Sequence, residues 1–278
     1  MEAKIVNELK EIRSHYRGDK LQSRFSALVT GESGSGKTFL VRTCRLPIHI
    51  DSFDPGGTKG LRDLIDSGDV VADTRWESEN PLKPTKFAEW KRVTERRLLN
   101  GYFNSFGTYV LDSCTTWGQA IMNDVLLSAG QVGQAPRWSH DYVPQKVAME
   151  TYIRKLMSVP CDFFLLGHLE TQEEVIAVDA KTGVKSKTTQ FRLMITGKAL
   201  ITVPLLFDEL YVLGTRERST GLERYILTDA QGKYQARSRL KGTAKLNKEE
   251  PADVKAILKK IGFDASDKPK LNLNSTDD

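Results

Sequence analysis

The chain has 278 residues, 39% of them hydrophobic, which suffices for one α/β domain of ordinary size with small additions. No apolar run approaches the length that spans a bilayer, and residues 1–20 are charged without a signal-peptide core. These features exclude a membrane partner and predict a cytoplasmic protein. The cysteines Cys44, Cys114 and Cys161 lack CxxC spacing, which argues against a disulfide framework or a zinc site.

In chain order, the first predicted element is an amphipathic helix over residues 2–16, which would pack on its own core or on a neighbouring subunit. A short apolar strand over residues 24–29 leads into the sequence GESGSGKT at residues 31–38. A helix is predicted from residue 38 until Pro47 ends it. The segment therefore predicts a strand, a glycine-rich loop and a helix.

The glycine-rich loop matches the pattern G-x-x-x-x-G-K-[ST], in which each fixed position has a mechanical reason. Glycines let backbone N–H groups approach phosphate oxygens, Lys37 reaches the β and γ phosphates, and the Thr38 hydroxyl ligates Mg²⁺. The pattern therefore predicts a nucleoside triphosphate site. Its predicted contact residues are Gly31, Glu32, Ser33, Gly34, Ser35, Gly36, Lys37, Thr38 and Phe39.

A second buried strand is predicted over residues 48–51, with Asp51 and Asp54 at its C-terminal end. Ligands of open parallel sheets bind at such strand ends, so both acids are predicted to point toward the nucleotide. Further elements are predicted as a helix over 61–67, a strand over 70–72, and helices over 83–103, 117–129 and 144–157.

The strand over residues 108–112 ends in Asp112, which is predicted to hold Mg²⁺ beside the Thr38 hydroxyl as a Walker B acid. The next buried strand, over residues 161–167, is followed by His168. Its place at a strand end favours a phosphate-sensing role, with an ordinary structural role as the alternative.

Two stretches carry aromatic or basic residues with two interpretations each. The helix over 83–103 puts Trp90 on a buried face and basic residues, including Arg97, elsewhere, so it covers the sheet or contacts nucleic acid. Trp138, in the polar loop 130–141, is expected to pack against the fold, with base stacking as the alternative.

From residue 173 the hydrophobic period changes to two, which predicts a hairpin of strands 174–179 and 187–194. Residues 181–198 hold five basic residues and no acid, whereas the whole chain has a net charge of only +5. A solvated hairpin is one interpretation, and contact with a phosphate backbone is the other. The predicted nucleic-acid-binding residues are Lys181, Lys185, Lys187 and Arg192.

The remaining chain predicts a small helix, one more strand and a second hairpin of residues 224–228 and 233–239 that turns at 229–232. A short helix over 251–261 precedes a polar, disordered end. The predicted division is an N-terminal helix for oligomerisation at 1–21, an ATPase domain at 22–241, and a short helix with a flexible tail at 242–278.

With these residues in view, the chain resembles RecA-type ATPases, and among them short phage-encoded ATP-binding proteins linked to single-strand annealing and recombination. The resemblance covers about residues 22–241. Two of its motifs, the glycine-rich loop and YVLDS (109–113), are superfamily-wide. The motifs that point to the phage group are IDSFDPGG (50–57), LLGH (165–168), GKA (197–199) with FDELY (207–211), and YQARSR (234–239).

The resemblance implies a RecA-like P-loop NTPase core, a mostly parallel sheet between helices, with C-terminal β-hairpins. It also implies ATP and Mg²⁺ as cofactors, DNA-facing loops within 171–196, and a ring or filament of identical subunits. In such assemblies a basic residue of one subunit completes the next subunit's site, and Arg237, Arg239 or Lys233 matches that position. The implied setting is a phage-infected bacterial cell, with single-stranded DNA and a single-strand-binding protein as partners.

One departure concerns the catalytic glutamate that RecA-like proteins usually carry two residues after the aspartate of the second strand. That position is Phe53 here. Asp54, or less favourably Asp51, would polarise the attacking water instead, and without either the nucleotide would act mainly as an assembly switch. The predicted catalytic residues are Lys37, Asp54, Asp112, His168, Arg237 and Arg239.

The expected function is a Mg²⁺-dependent ATPase that assembles on single-stranded DNA and promotes annealing or recombination. The alternatives are a helicase-, loader- or packaging-type DNA motor, a small-molecule phosphotransferase, and a nucleotide-gated binding module with little hydrolysis.

Overall fold

The computed structural model describes residues 2–18, 24–178, 185–219, 221–240 and 246–272. The strands are β1 (Ser26–Gly31), β2 (Ile48–Ser52), β3 (Val70–Asp73), β4 (Thr108–Asp112), β5 (Asp162–Val178), β6 (Lys185–Leu193), β7 (Glu209–Arg218), β8 (Gly221–Leu227), β9 (Arg237–Ser238) and β10 (Glu249–Pro251). The helices are α1 (Glu2–Gly18), α2 (Lys37–Leu40), α3 (Arg62–Asp66), α4 (Lys86–Leu99), α5 (Cys114–Ser128), α6 (Tyr142–Leu156), α7 (Ala199–Leu205) and α8 (Val254–Lys260).

The central sheet has the strand order β10-β8-β7-β1-β5-β4-β2-β3, while β6 and β9 pair with β5 and β7. The strands from β7 to β3 are parallel to their neighbours. The carboxyl ends of β1, β5, β4 and β2 therefore lie along one edge of the sheet. Strand β5 separates β1, which leads into the glycine-rich loop, from β4 and its terminal Asp112.

The hydrophobic core has two parts, one on each face of this sheet. Successive residues of β4 enter different parts, because side chains alternate along a strand: Tyr109 and Leu111 pack with α4, α5 and α6, whereas Val110 packs with α2 and α8. Helices thus cover both faces. The predicted RecA-like core, a mostly parallel sheet between helices, is confirmed.

The hairpin of β5 and β6 is confirmed, but the second predicted hairpin is wrong. Strand β8 pairs with β7, and β9 also pairs with β7, so residues 224–228 do not form a hairpin with 233–239. The helix after the glycine-rich loop is also shorter than predicted, because α2 gives way to a 3₁₀ turn at Val41–Thr43.

The C-terminal segment is more ordered than its polar sequence indicates. Strand β10 pairs with β8, and α8 packs against the sheet. Beyond α8, Leu46 N donates to Asp267 Oδ1 at 2.7 Å, and Lys268 N donates to Leu46 O at 2.8 Å. Residues 264–268, which the sequence predicts to be flexible, are thus hydrogen-bonded to the core, whereas 273–278 lie outside the described residues.

Helix α1 is amphipathic as predicted. Its apolar side chains Ile5, Val6, Leu9 and Ile12 are exposed, so the described residues do not cover this face. Its role in oligomerisation stays a prediction. Within the described chain, no helix combines the length and the apolar character that crossing a membrane requires.

Candidate nucleotide-binding site

The glycine-rich loop, called the P-loop from here on, joins the end of β1 at Gly31 to the start of α2 at Lys37. Gly34 and Gly36 have φ values of 81° and 92°, a backbone region that glycine enters without steric cost. The hydroxyl of Ser35 is buried and has no hydrogen-bond partner among the described residues. A buried donor in that condition is suited to a bound anion, so the loop fits the phosphate site that its sequence predicts.

Lys37 lies inside this loop. Its Nζ donates to the backbone oxygens of Gly31 at 2.9 Å and Glu32 at 3.0 Å. Burial lowers the pKa of Lys37, while the charges of Asp112 and Asp54 oppose that shift. Hydrogen bonds to neutral carbonyls are weaker than those to an anion, so the ammonium is well placed to exchange them for phosphate oxygens.

Thr38 and Asp112 meet as predicted, because Thr38 Oγ1 donates to Asp112 Oδ2 at 2.7 Å. Asp112 is 2% exposed, and burial raises its pKa to about 6 against the opposing hydrogen bond from Thr38. A hydroxyl and a carboxylate are the oxygen ligands that Mg²⁺ prefers. Together with the unpartnered Ser35 hydroxyl, this donor set fits a nucleotide bound with Mg²⁺.

Asp54 and His168 form one hydrogen-bonded group at the same edge of the sheet. His168 Nε2 lies 2.8 Å from Asp54 Oδ2, and Asp54 Oδ1 accepts hydrogen bonds from Ser113 Oγ at 2.8 Å and Thr116 Oγ1 at 2.5 Å. Burial works to raise the pKa of Asp54, but these hydrogen bonds outweigh it and lower that pKa. His168 reaches this edge because it pairs in register with Gly31, at the end of the neighbouring β1.

The prediction that Asp51 points toward the nucleotide is wrong. Asp51 is fully buried, and its Oδ2 accepts a hydrogen bond from Trp90 Nε1 at 2.9 Å. Phe53 also faces the core, where its ring centroid lies 6.4 Å from that of Trp76. Asp51 and Phe53 thus both lie against Trp90, on the face of the sheet that α4 covers, whereas Asp54 contacts His168.

Glu77 is an acid of this edge that sequence reasoning missed. Its Oε1 accepts a hydrogen bond from Ser52 Oγ at 2.7 Å, and its Oε2 accepts one from Gly56 N at 2.8 Å. Ser52 pairs in register with Asp112, which brings Glu77 near the Asp112 carboxylate. The available signal was its position shortly after β3, since polar residues that follow parallel strands gather at one edge.

The predicted interfacial cations Arg237 and Arg239 lie at the opposite end of the sheet from the P-loop, because β9 pairs with the first residues of β7. Arg237 Nη2 donates to Pro204 O at 3.0 Å and Phe207 O at 3.1 Å, and Arg239 Nη1 pairs with Asp208 at 2.8 Å. Within one chain both residues therefore anchor the end of α7. Their role in a neighbouring subunit's site stays a prediction.

Phe39 follows Thr38 and is 47% exposed. The guanidinium carbons of Arg42 and Arg224 lie 5.3 and 5.0 Å from the centroid of its ring. Arg224 is on β8, far from the P-loop in sequence. No motif marked it, so sequence reasoning missed its position beside the loop.

The predicted nucleic-acid residues belong to the β5–β6 hairpin and its connection. Lys181 lies outside the described residues, and for Lys185 and Lys187 only the backbone, paired with β5, lies within them. Arg192 is half-buried, with its Nη2 3.5 Å from Gln190 Oε1. Binding of nucleic acid by this hairpin stays a prediction.

The P-loop, its buried lysine and the Thr38–Asp112 pair define a nucleotide-binding protein of the P-loop ATPase class. A family model described as an AAA domain matches residues 23–240, and the chain belongs to that family. No curated protein matches the chain.

Among solved structures that match, a KaiC-like protein from the hyperthermophilic archaeon Pyrococcus horikoshii OT3 aligns with 82% of this chain and 84% of its own, at 12% identity and a TM-score of 0.40. Because the sequence identity and the TM-score are both low, the fold assignment depends on the strand order of the chain itself.

Proposed function

We propose that this protein is a Mg²⁺-dependent ATPase that assembles on single-stranded DNA and promotes annealing or recombination. The observation that carries the ATPase part is the contact of Thr38 with the buried Asp112, beside the buried Lys37. It joins the hydroxyl, carboxylate and ammonium that phosphoryl transfer requires at one end of the sheet.

In this proposal the P-loop amides and Lys37 bind the phosphates, and Thr38 and Asp112 hold the metal ion. When bound, Mg²⁺ supplies positive charge that stabilises the phosphate oxygens during transfer. Asp54 orients the attacking water and accepts its proton, because its lowered pKa keeps it ionised at neutral pH. His168 positions the Asp54 carboxylate through their hydrogen bond.

Three features support a nucleic-acid partner. Residues 181–198 hold five basic residues and no acid, and the chain is positively charged overall. Trp138 is 78% exposed, so it offers a free aromatic face to a base. Its ring lies 5.4 Å from that of Tyr142. An exposed aromatic side chain of this kind is suited to stacking on a base of an unpaired strand.

Assembly into a ring or filament is supported by the exposed apolar face of α1, which a second copy would cover. In that arrangement Arg237 or Arg239 of one subunit would reach the nucleotide of the next. A DNA motor with the same core is the rival proposal, and it differs by separating or moving along strands.

The test is steady-state ATP hydrolysis with and without single-stranded DNA, across a salt series. We expect stimulation by DNA that declines steeply with salt, since contacts to phosphates release counterions. Lys37→Ala should reduce hydrolysis about 10²–10³-fold, because it removes a charge that stabilises the transferring group. Thermal unfolding of this variant checks that the loss is not a loss of fold.

If the rate of ATP hydrolysis did not change with DNA but rose with a small hydroxylic substrate, the result would contradict the proposal and favour a phosphotransferase. ATP-driven unwinding of a duplex would favour the motor.

A further inference from the structure

Arg224 lies directly beside the P-loop. The β7–β8 hairpin extends past the end of β1, since Val212 already pairs with Thr30 and Arg224 lies further out, opposite Thr215. A Cβ atom built on Gly36 would be 2.5 Å from Arg224 Nε. The guanidinium is thus in contact with the turn that begins α2.

Three other charged residues of this hairpin, Arg216, Arg218 and Glu223, form ion pairs, whereas Arg224 forms none with the described residues. Arg216 Nε and Arg218 Nε both bond to Glu223 Oε2, at 2.9 and 2.7 Å. Among the described residues, Arg224 Nε is a buried atom without a hydrogen-bond partner. Its guanidinium carbon lies 5.0 Å from the centroid of the Phe39 ring.

The Ser35 hydroxyl is a second buried donor that has no hydrogen-bond partner in the described part of the chain, and it lies in the P-loop next to Gly36. Burying a donor without an acceptor is unfavourable, so one such atom in the P-loop and another on the side chain that contacts Gly36 indicate a missing acceptor. The guanidinium matches phosphate oxygens in geometry as well as in charge. Its stacking on Phe39 holds it over the loop at a low cost in side-chain entropy.

We propose that Arg224 binds the phosphates of the nucleotide held by its own P-loop, as a cation supplied within the same chain. This inference rests on the proposed function and deepens it. It differs from the role predicted for Arg237 and Arg239, which would act across a subunit boundary.

The experiment compares Arg224→Gln with the wild-type protein and with Arg42→Gln. Arg42 is the matched control, because it also lies over Phe39 but is held by Asp63 at 2.6 Å and by Gly60 O at 3.2 Å. Dissociation constants for ATP and for inorganic tripolyphosphate are measured by competition with a fluorescent ATP analogue. Thermal unfolding confirms that each variant is folded.

We expect Arg224→Gln to weaken both ATP and tripolyphosphate about 10- to 100-fold, the effect of one lost hydrogen bond to a charged group. Arg42→Gln should leave both dissociation constants within about twofold of the wild-type values. Arg224→Lys keeps the positive charge but loses the planar guanidinium, so its dissociation constants should lie between those of wild type and Arg224→Gln. It also replaces Arg224→Gln as the test if that variant fails to fold.

Equal affinities of wild type and Arg224→Gln would overturn the inference. So would a loss confined to ATP, with tripolyphosphate unaffected or bound by neither protein, since Arg224 would then contact the base or ribose. A wild-type protein that binds neither ATP nor its fluorescent analogue would instead refute the proposed function.

Discussion

Two groups of acids lie near the end of β2, and they differ in how their charge is balanced. The buried cluster consists of His49, Asp51, Asp73 and Arg97 with the ring donors of Trp76, Trp90 and Tyr109. The nucleotide-site cluster consists of Thr38, Asp54, Glu77, Asp112 and His168. In the first, the chain itself supplies the cation Arg97 and the hydrogen-bond donors. In the second, Asp112 accepts its hydrogen bond from the neutral hydroxyl of Thr38.

The buried cluster resembles a metal site in its ligand types, since atoms of His49, Asp51 and Asp73 lie within 4.8 Å of one another. Arg97 already provides the positive charge, with Nη1 2.9 Å from Asp51 and Nη2 2.7 Å from Asp73. The sequence predicts Arg97 away from the buried face of α4, and its 8% exposure corrects that prediction. Burial alone would raise the pKa of Asp51, but His49 and Arg97 reverse the effect and lower it.

The pKa of Asp112 shifts in the opposite direction, because burial raises it to about 6. Its nearest hydrogen-bond donor is a neutral hydroxyl, that of Thr38. The comparison shows that a buried acid has a structural role where the chain itself supplies its hydrogen bonds and its counter-charge. A buried acid without an ion-pair partner is a candidate for a catalytic or ligand-binding role.

The largest expected effect is on the buried cluster. Asp51→Asn should lower the free energy of unfolding by about 3–5 kcal/mol in urea denaturation, because it leaves Arg97 partly uncompensated. The difference from wild type should narrow below about pH 4, since a carboxylate with a lowered pKa stabilises only while it is ionised. The folded variant should keep its ATP affinity.

Asp63→Asn is the control for this prediction. Asp63 pairs with Arg42 at the surface, so its loss should cost at most about 1 kcal/mol. If the two variants lost similar stability, the contrast between a buried and an exposed ion pair would not hold here.

The next largest effect distinguishes the roles of Asp54 and Glu77 in the nucleotide-site cluster. Asp54→Asn should reduce the turnover of ATP about 100-fold with little change in ATP affinity, since it removes the group that accepts the proton from water. Glu77→Gln should cost less than about tenfold, because Glu77 is bonded to Ser52 and Gly56 N and acts through their position. Single-turnover hydrolysis and nucleotide titration measure both quantities.

If Glu77→Gln proved the more damaging change, Glu77 would take the role assigned to Asp54. The acid that activates water would then come from the segment after β3.

The smallest expected effect is a gain in stability. In magnesium-free buffer, Asp112→Asn should raise the free energy of unfolding by about 1–3 kcal/mol at pH 8, because it removes a buried charge. The folded state of wild type holds its proton up to about pH 6, so the gain should shrink as pH falls and vanish near pH 4. Urea denaturation at a series of pH values measures it.

A gain of the same size at every pH would mean that the charge of Asp112 is not its cause. With ATP and Mg²⁺ added, wild type should become the more stable protein, because only it retains the full ligand set.

Much of the nucleotide site was predictable, because its residues are fixed by local spacing. Gly36, Lys37 and Thr38 belong to one loop, and Asp112 and His168 each follow an apolar strand. The direction of Asp51 was not predictable in the same way. Strand β2 is buried along its whole length, so its sequence shows no alternation that would tell one face from the other.

The sequence by itself determined that a P-loop, an acid at the end of a core strand and a histidine after the next core strand occur in this order. Such features depend on a few neighbouring residues and on strand direction. Tertiary structure decided which acids became buried, that β8 pairs with β7, that Glu77 reaches the end of β2, and that Arg224 reaches the P-loop. Those contacts join residues distant along the chain, and their energies depend on the burial and charge that only the assembled fold creates.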